Sequence, residues 1–253
     1  MHATPSRLRA TLLACSLMLA AAATAQQPEL QTFPTDDIPT SAGTLTITFV
    51  GHGSLMLQWD GKIIHIDPVR READYAQLPD ADLVLVTHGH GDHLDPDAIA
   101  DVRKEATLVV IPPTWADQVP GPVHTLSNGD TLTTLGLTVE AVPAYNLVNM
   151  SPSGQPFHPK GAGNGYGLTL GGKRLYVAGD TENTPEMKAL EKSDIAFLPM
   201  NLPYTMTPEM VADAARGFRP AVLYPYHYGE TNVQELLDLL KDEEGIEVRV
   251  RPM

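Results

Sequence analysis

Cysteine is almost missing from this 253-residue chain, with Cys15 the only one. Cys15 falls in an apolar leader, so the chain beyond it has no disulfide and must be held by core size or bound metal. Basic side chains are scarce too, 17 Lys and Arg against 31 Asp and Glu. Such an acidic balance disfavours nucleic acid and anionic membranes as non-specific partners. It leaves anionic substrates open, because a bound dication inverts the local field. Heptads and short-period repeats are absent. The apolar stretch Ala10 to Ala23 is too short for a stable bilayer anchor, so no membrane-spanning segment is expected in the mature chain.

That stretch has a different use. Arg7 and Arg9 give it a positive start, and Ala23-Thr24-Ala25 fits the small-x-small pattern of secretory cleavage. The expectation is a signal peptide over 1–25, cleavage after Ala25 and export, in a bacterial setting to the periplasm. Lipid anchoring at Cys15 is the alternative, weakened by the short apolar segment before it. Cleavage removes two basic side chains and no acidic ones, leaving 15 against 31. Residues 26–43 are polar, proline-bearing and aperiodic, and read as an arm or linker before a folded domain over 44–253.

Within that domain, Thr44–Val50, Ser54–Trp59 and Lys62–Ile66 read as strands, with Asp60-Gly61 as a tight hairpin turn. Ala81–Val86 is a buried strand, Asp95-Pro96 opens a short helix, and Thr107–Ile111 is another strand. A short helical piece near Trp115 and strands Thr131–Leu135 and Leu137–Val142 come next, then a long Gly, Pro, Ser and Asn loop over 146–165. The second half repeats the theme. A Gly171-Gly172 hairpin joins Tyr166–Leu170 to Lys173–Ala178, helices open at Thr184-Pro185 and Thr207-Pro208, and strands run over Asp194–Leu198, Ala221–Tyr224 and Ile246–Val250. Thr231 with Gln234 reads as a capping box for the last helix. Two runs of strands, each followed by helices, predict an α/β fold, an αββα sandwich of two mixed sheets flanked by helices.

The chemistry concentrates in Thr87-His88-Gly89-His90-Gly91-Asp92-His93-Leu94, directly after the apolar run Leu83-Val84-Leu85-Val86. Neutral imidazoles and a carboxylate are the ligand set of Zn²⁺ and similar ions. His88 and His90 alternate in register and can face one side, Gly89 and Gly91 allow a sharp bend, and His93 returns on the following turn with Asp92 beside it.

His88-x-His90-x-Asp92-His93 resembles the signature of the metallo-β-lactamase superfamily, and Gly179-Asp180-Thr181 and Pro225-Tyr226-His227-Tyr228-Gly229 are similar to its later metal-binding segments. Gly51-His52-Gly53-Ser54, Ile66-Asp67-Pro68, Phe157-His158-Pro159 and Leu202 to Thr207 resemble its ascorbate-6-phosphate lactonase-like branch, which borders the N-acylphosphatidylethanolamine phospholipase D relatives. The resemblance covers Thr44 to Met253. It implies two divalent ions, zinc first and Mn²⁺ or Fe²⁺ as alternatives. His88, His90 and a third histidine would hold one ion, Asp92, His93 and His227 the other, and Asp180 would bridge them. Many relatives place the third histidine in a Pro-Ala-His segment. Here that segment is Pro143-Ala144-Tyr145-Asn146, and the role passes to His158 in the loop beyond.

Asp67, at a strand end, is expected to support a ligand imidazole rather than bind metal itself. His52 either lines the pocket or packs at a strand end, and His65 and His124 read as structural or surface residues. Tyr145, Asn146 and Tyr204 are candidates for substrate contact. The implied activity is hydrolysis of a small carbonyl compound (lactone, ester or amide) or a phosphodiester, with a hydroxide between the ions as nucleophile and Asp92 and Asp180 at the reacting centre. A di-iron redox protein and a non-catalytic metal-stabilised sensor are the alternatives.

Overall fold

A tight turn needs left-handed backbone, and Asp60-Gly61 supplies it, with φ of +47° and +68° joining strand β3 (Ser54–Trp59) to β4 (Lys62–Ile66). The computed structural model describes residues 1–2 and 31–253; the expected leader, Cys15 included, lies outside them beyond residue 2. Around that hairpin, β1 (Thr35–Thr40), β2 (Gly43–Gly51), β5 (Ala81–Leu85), β6 (Arg103–Ile111) and β7 (His124–Thr125) complete a seven-stranded sheet in sequence order. The second sheet contains β8 (Thr131–Thr134), β9 (Leu137–Ala144), β10 (Gly163–Leu170), β11 (Lys173–Val177), β12 (Ile195–Pro199), β13 (Val222–Tyr226) and β14 (Glu247–Val248), again in sequence order. In both sheets the first four strands are antiparallel neighbours and the rest are parallel. The chain therefore builds the same half twice.

The inner layer holds the apolar side chains of both sheets, including Leu45, Ile47, Phe49, Leu57, Leu83, Tyr166, Leu168, Val177 and Phe197. Two outer layers pack under the helices. Helix α1 (Pro96–Val102) covers one sheet through Ala98, Ile99 and Val102, while α2 (Pro185–Lys188), α3 (Pro208–Phe218) and α4 (Val233–Leu240) cover the other through Met187, Val211, Ala215, Phe218 and Leu236. This is the expected αββα sandwich, and it carries the strand ends that converge on the site.

Local rules hold at most helix starts. Asp95 accepts from the N–H groups of Asp97 and Ala98 with Pro96 in the first turn, and Thr207 accepts from Met210 N–H with Pro208 next to it. Two expectations need correction. The cap of α4 is Asn232, which accepts from Gln234 N–H, because the Thr231 hydroxyl is turned to the Leu202 N–H instead. The stretch read as an arm includes a strand, since β1 pairs along its length with β2 and Asp36 takes a two-pronged contact from Arg251. Short polar edge strands have half-exposed side chains and little apolar periodicity, so composition alone reads them as linker.

Candidate metal centre

Except for His158, on the loop between β9 and β10, the site residues follow strand ends, and three of them have left-handed backbone. His52, Asp67 and His227 have φ of +50°, +46° and +47°. This conformation costs a non-glycine residue on the order of 1 kcal/mol and persists only where the surroundings over-determine it. Here it turns each side chain inward from its strand. Gly179 needs the same region, at φ +64°, and a Cβ there would meet Asn164 O and Thr87 Cβ at 3.0 Å each. The glycines of the histidine cluster differ from expectation. Gly89 is needed for space, because a Cβ would enter the Trp115 ring at 2.1 Å, whereas Gly91 faces nothing within 4 Å and neither has positive φ.

Two groups of ligand-type atoms result, His88, His90, His158 and Asp180 in one and His52, Asp92, His93 and His227 in the other, each with its atoms within 4.8 Å of one another. Asp180 joins them. Its Oδ2 lies 3.2 Å from His158 Nε2 and 3.9 Å from His88 Nε2, while its Oδ1 lies 3.3 Å from His93 Nε2 and 3.6 Å from His227 Nε2. Asp92 Oδ2 is 3.1 Å from His52 Nε2 and 3.5 Å from His227 Nε2. His52, whose role the sequence leaves open, thus stands beside Asp92 and packs on the His227 ring at 3.8 Å.

Four of the atoms that face this centre have no protein partner, while His158 Nε2 and Asp92 Oδ2 face it with His90 and His52 beside them. His88 Nε2, His93 Nε2, His227 Nε2 and Asp180 Oδ1 are buried with no hydrogen bond. Buried polar atoms of this kind cost about 1–3 kcal/mol each when unsatisfied, so a cluster of four fits cation ligation by its donor chemistry. The electrostatics agree at His88 and Asp180, and His93 departs from them. Burial, aided by neighbouring His93, holds His88 well below the usual imidazole range, the neutral form that ligation requires. Burial pushes His93 the same way, but Asp180 and Asp67 on its two sides outweigh it and raise it. Burial pushes Asp180 up, and His227 and His93 override it downward.

Behind the ligands stand their holders. Asp67, fully buried, accepts from Thr87 N–H at 2.7 Å and Thr87 Oγ1–H at 2.6 Å, and lies 2.7 Å from His93 Nδ1, so His93 presents its other nitrogen to the centre. Asn146 does the same for His158. Its Oδ1 accepts from the His158 N–H at 2.9 Å and lies 2.6 Å from Nδ1. Sequence reasoning missed the residue behind Asn146. Glu182, with no exposed surface, accepts from the N–H groups of Leu147, Val148 and Asn149 at 2.7–2.8 Å and from Asn146 Nδ2 at 3.1 Å. A carboxylate two residues after the Gly179-Asp180 turn was the available signal.

An open cavity of about 320 Å³ reaches the centre, lined by His90, Asp92, Phe157, His158, Asp180, Asn201, Tyr204 and His227. Tyr204 is therefore at the mouth, as expected of a substrate contact. Tyr145 is not. Its hydroxyl donates to Glu186 at 2.9 Å and its ring lies under Lys160, so it faces away, and Asn146 is occupied with His158, Glu182 and the Tyr204 carbonyl. His65 is fully buried against Tyr75, and His124 lies exposed on β7.

Residues 46–227 match the beta-lactamase superfamily domain. The chain belongs to the metallo-β-lactamase superfamily. Among its relatives in that superfamily is a UPF0173 metal-dependent hydrolase of Methanopyrus kandleri, 34% identical over 73% of this chain and 84% of the relative. A crystal structure of a candidate metal-dependent hydrolase from Parabacteroides distasonis is 50% identical, with a TM-score of 0.83 over 88% of this chain and 100% of that one. Igni18, a metallo hydrolase from Ignicoccus hospitalis, is 26% identical, with a TM-score of 0.68 over 82% and 95%. This metallo-β-lactamase superfamily member is a metal-dependent hydrolase with His and Asp groups able to bind metal ions.

Proposed function

We propose that the protein is an exported, periplasmic hydrolase that holds two divalent ions, zinc first, and cleaves a small carbonyl substrate such as a lactone, ester or amide, or a phosphodiester. The observation that carries this reading is the placement of Asp180, whose two oxygens face different histidine groups. His88, His90 and His158 would hold one ion, and His93, His227 and Asp92 the other, with Asp180 between. When bound, such a pair supplies Lewis acidity and lowers the pKa of water toward neutrality.

The chain's own residues do the rest. Asp67 and Asn146 fix which nitrogen His93 and His158 turn to the centre. Asp92, partly exposed on the cavity wall with His52 beside it, is placed to accept a proton and pass it on to His52. Phe157, Asn201 and Tyr204 confine the substrate from the opposite side. The segments of Phe157 and Tyr204 carry the likeness to the lactonase branch, which favours a lactone or related acyl compound, while export argues against a cytosolic sugar phosphate. The leader pattern supports export.

Elemental analysis of purified protein, followed by lactone, phosphodiester and β-lactam substrates with chelator controls, tests the proposal. The expected result is two ions per chain and chelator-sensitive turnover of a lactone or phosphodiester. Fully loaded protein that hydrolyses none of them would overturn it.

A further inference from the structure

Among the described residues from Gln31 onward, the exposed large apolar side chains are Leu147, Val148, Met150, Leu202 and Tyr204, at 42%, 61%, 44%, 43% and 45% exposure. All five stand on two loops, 145–162 and 200–207; Tyr204 lines the cavity, Leu202 lines the groove beyond Asn201, and the loop of Leu147, Val148 and Met150 is bonded to the Tyr204 loop. Clustered apolar exposure of this kind marks a recognition surface, unlike the same residues scattered singly.

The exposure is built into the fold. Glu182 holds the backbone of Leu147, Val148 and Asn149, so a buried carboxylate keeps these side chains pointing into solvent rather than letting the loop collapse. The two loops are tied together. Asn146 Nδ2 donates to Tyr204 O at 2.9 Å, Asn149 Nδ2 donates to Thr205 O at 2.7 Å, and the Phe157 and Tyr204 rings meet edge to face at 5.0 Å. A preformed apolar rim costs little ordering when a ligand arrives.

Charge selects in the same direction. The cavity lining contains no Lys or Arg. Lys160, two residues from His158, has its ammonium 2.6 Å from Glu186 and over the Tyr145 ring. Beyond Asn201 a groove of about 420 Å³ continues between Leu202 and the segment Gly229-Glu230-Thr231, also without a basic side chain. A substrate anion remote from the reacting bond would find no partner in either space, whereas an alkyl chain would find Leu202 as a wall.

Resting on the hydrolase reading, we propose that this site takes substrates with no charge remote from the reacting bond and with an apolar chain or ring there, received by the rim of Leu147, Val148, Met150, Leu202 and Tyr204.

The test uses the metal-loaded full chain with γ-butyrolactone, γ-heptalactone and γ-decalactone. The ratio kcat/KM should rise roughly twofold per added methylene, below the near-fourfold of complete burial because the rim stays partly wet. Val148→Ser and Leu202→Ser, both at exposed positions, should each cut the decalactone-to-butyrolactone ratio several-fold. A ratio flat with chain length in wild type, or unmoved in both variants, would overturn the proposal. If loaded protein hydrolyses no lactone, the choice of reaction fails separately, and displacement of Nile red by the same three lactones decides the rim: displacement that strengthens with chain length and is lost in the variants supports it, and none overturns it. A concentration-dependent dimer dispersed by Val148→Ser, with a flat ratio, would assign the surface to a second copy instead.

Discussion

Asp67 and Asp180 follow equivalent strands, the fourth of the first sheet and the fourth of the second, and they lie on opposite sides of the same imidazole. His93 Nδ1 is 2.7 Å from Asp67, and His93 Nε2 is 3.3 Å from Asp180. Their company differs. Asp67 is surrounded by protein donors, two from Thr87 and one from His93, which satisfy it as a holder. Asp180 looks out on four imidazoles and keeps Oδ1 without a donor. The fifth strands diverge in the same way: β5 ends in the histidine cluster, while β12 ends in the Asn201–Tyr204 lip of the cavity. A duplicated frame thus supplies equivalent strand ends, and the set of donors around each carboxylate decides whether it holds a ligand or faces the ions.

The contrast breaks most completely at Asp180. Asp180→Ala should empty both groups of metal and reduce hydrolysis about 10³-fold or more, several kcal/mol of transition-state stabilisation. Elemental analysis beside activity checks it, and near-normal metal with near-normal turnover would sink the assignment. Asp67→Asn keeps the shape but leaves His93 free to take the other tautomer. The expected loss is about 10- to 100-fold in metal affinity, confined to the group containing His93. Competition with a chromophoric chelator measures it, and equal weakening of both groups would show that Asp67 acts on the fold and not on His93.

Much of this contrast is legible in the amino-acid sequence. The cluster after β5, the strand-end position of Asp180 and His227, and a supporting role for Asp67 come from residue type and order, because metal ligands are chemically conspicuous. The doubled α/β layering is legible in the runs of strands and the helices after them. The rest depends on long-range geometry. Tyr145 and Asn146 are neighbours just beyond β9, yet one bonds Glu186 and the other His158. Glu182 resembles any acidic turn residue until the loop over 147–149 folds onto it. Trp115 covers Gly89 from more than twenty positions away, a contact that periodicity does not report.

Glu182 sharpens the comparison from within the second half, as a carboxylate two residues from Asp180 that holds His158, a member of Asp180's own group, through Asn146. Glu182→Gln replaces one acceptor oxygen with an NH₂ facing backbone N–H donors, and a hydrogen bond to a charged group is worth about 1.5–3 kcal/mol. Denaturant unfolding should lose about 2 kcal/mol, with metal affinity falling less than tenfold and only in the His158 group. Unchanged stability would remove Glu182 from the loop's support.

The smallest effect belongs to His52, the one member of either group whose role its strand-end position leaves open. Its imidazole meets Asp92 with 21% and 31% of the two side chains exposed, a contact worth at most about 1 kcal/mol. His52→Asn keeps a side chain that tolerates left-handed backbone while removing the ring. If His52 only steadies Asp92, ion release from the His93 group should quicken by a factor of roughly five or less, with the His88 group untouched. If His52 is itself a ligand, that group should hold its ion far more weakly, because four donors, Asp180 included, would then have to serve in place of five. Stopped-flow release to a chelator separates the two outcomes, and with them decides whether the His93 flank has five donors with Asp180 or four, as the His88 flank has.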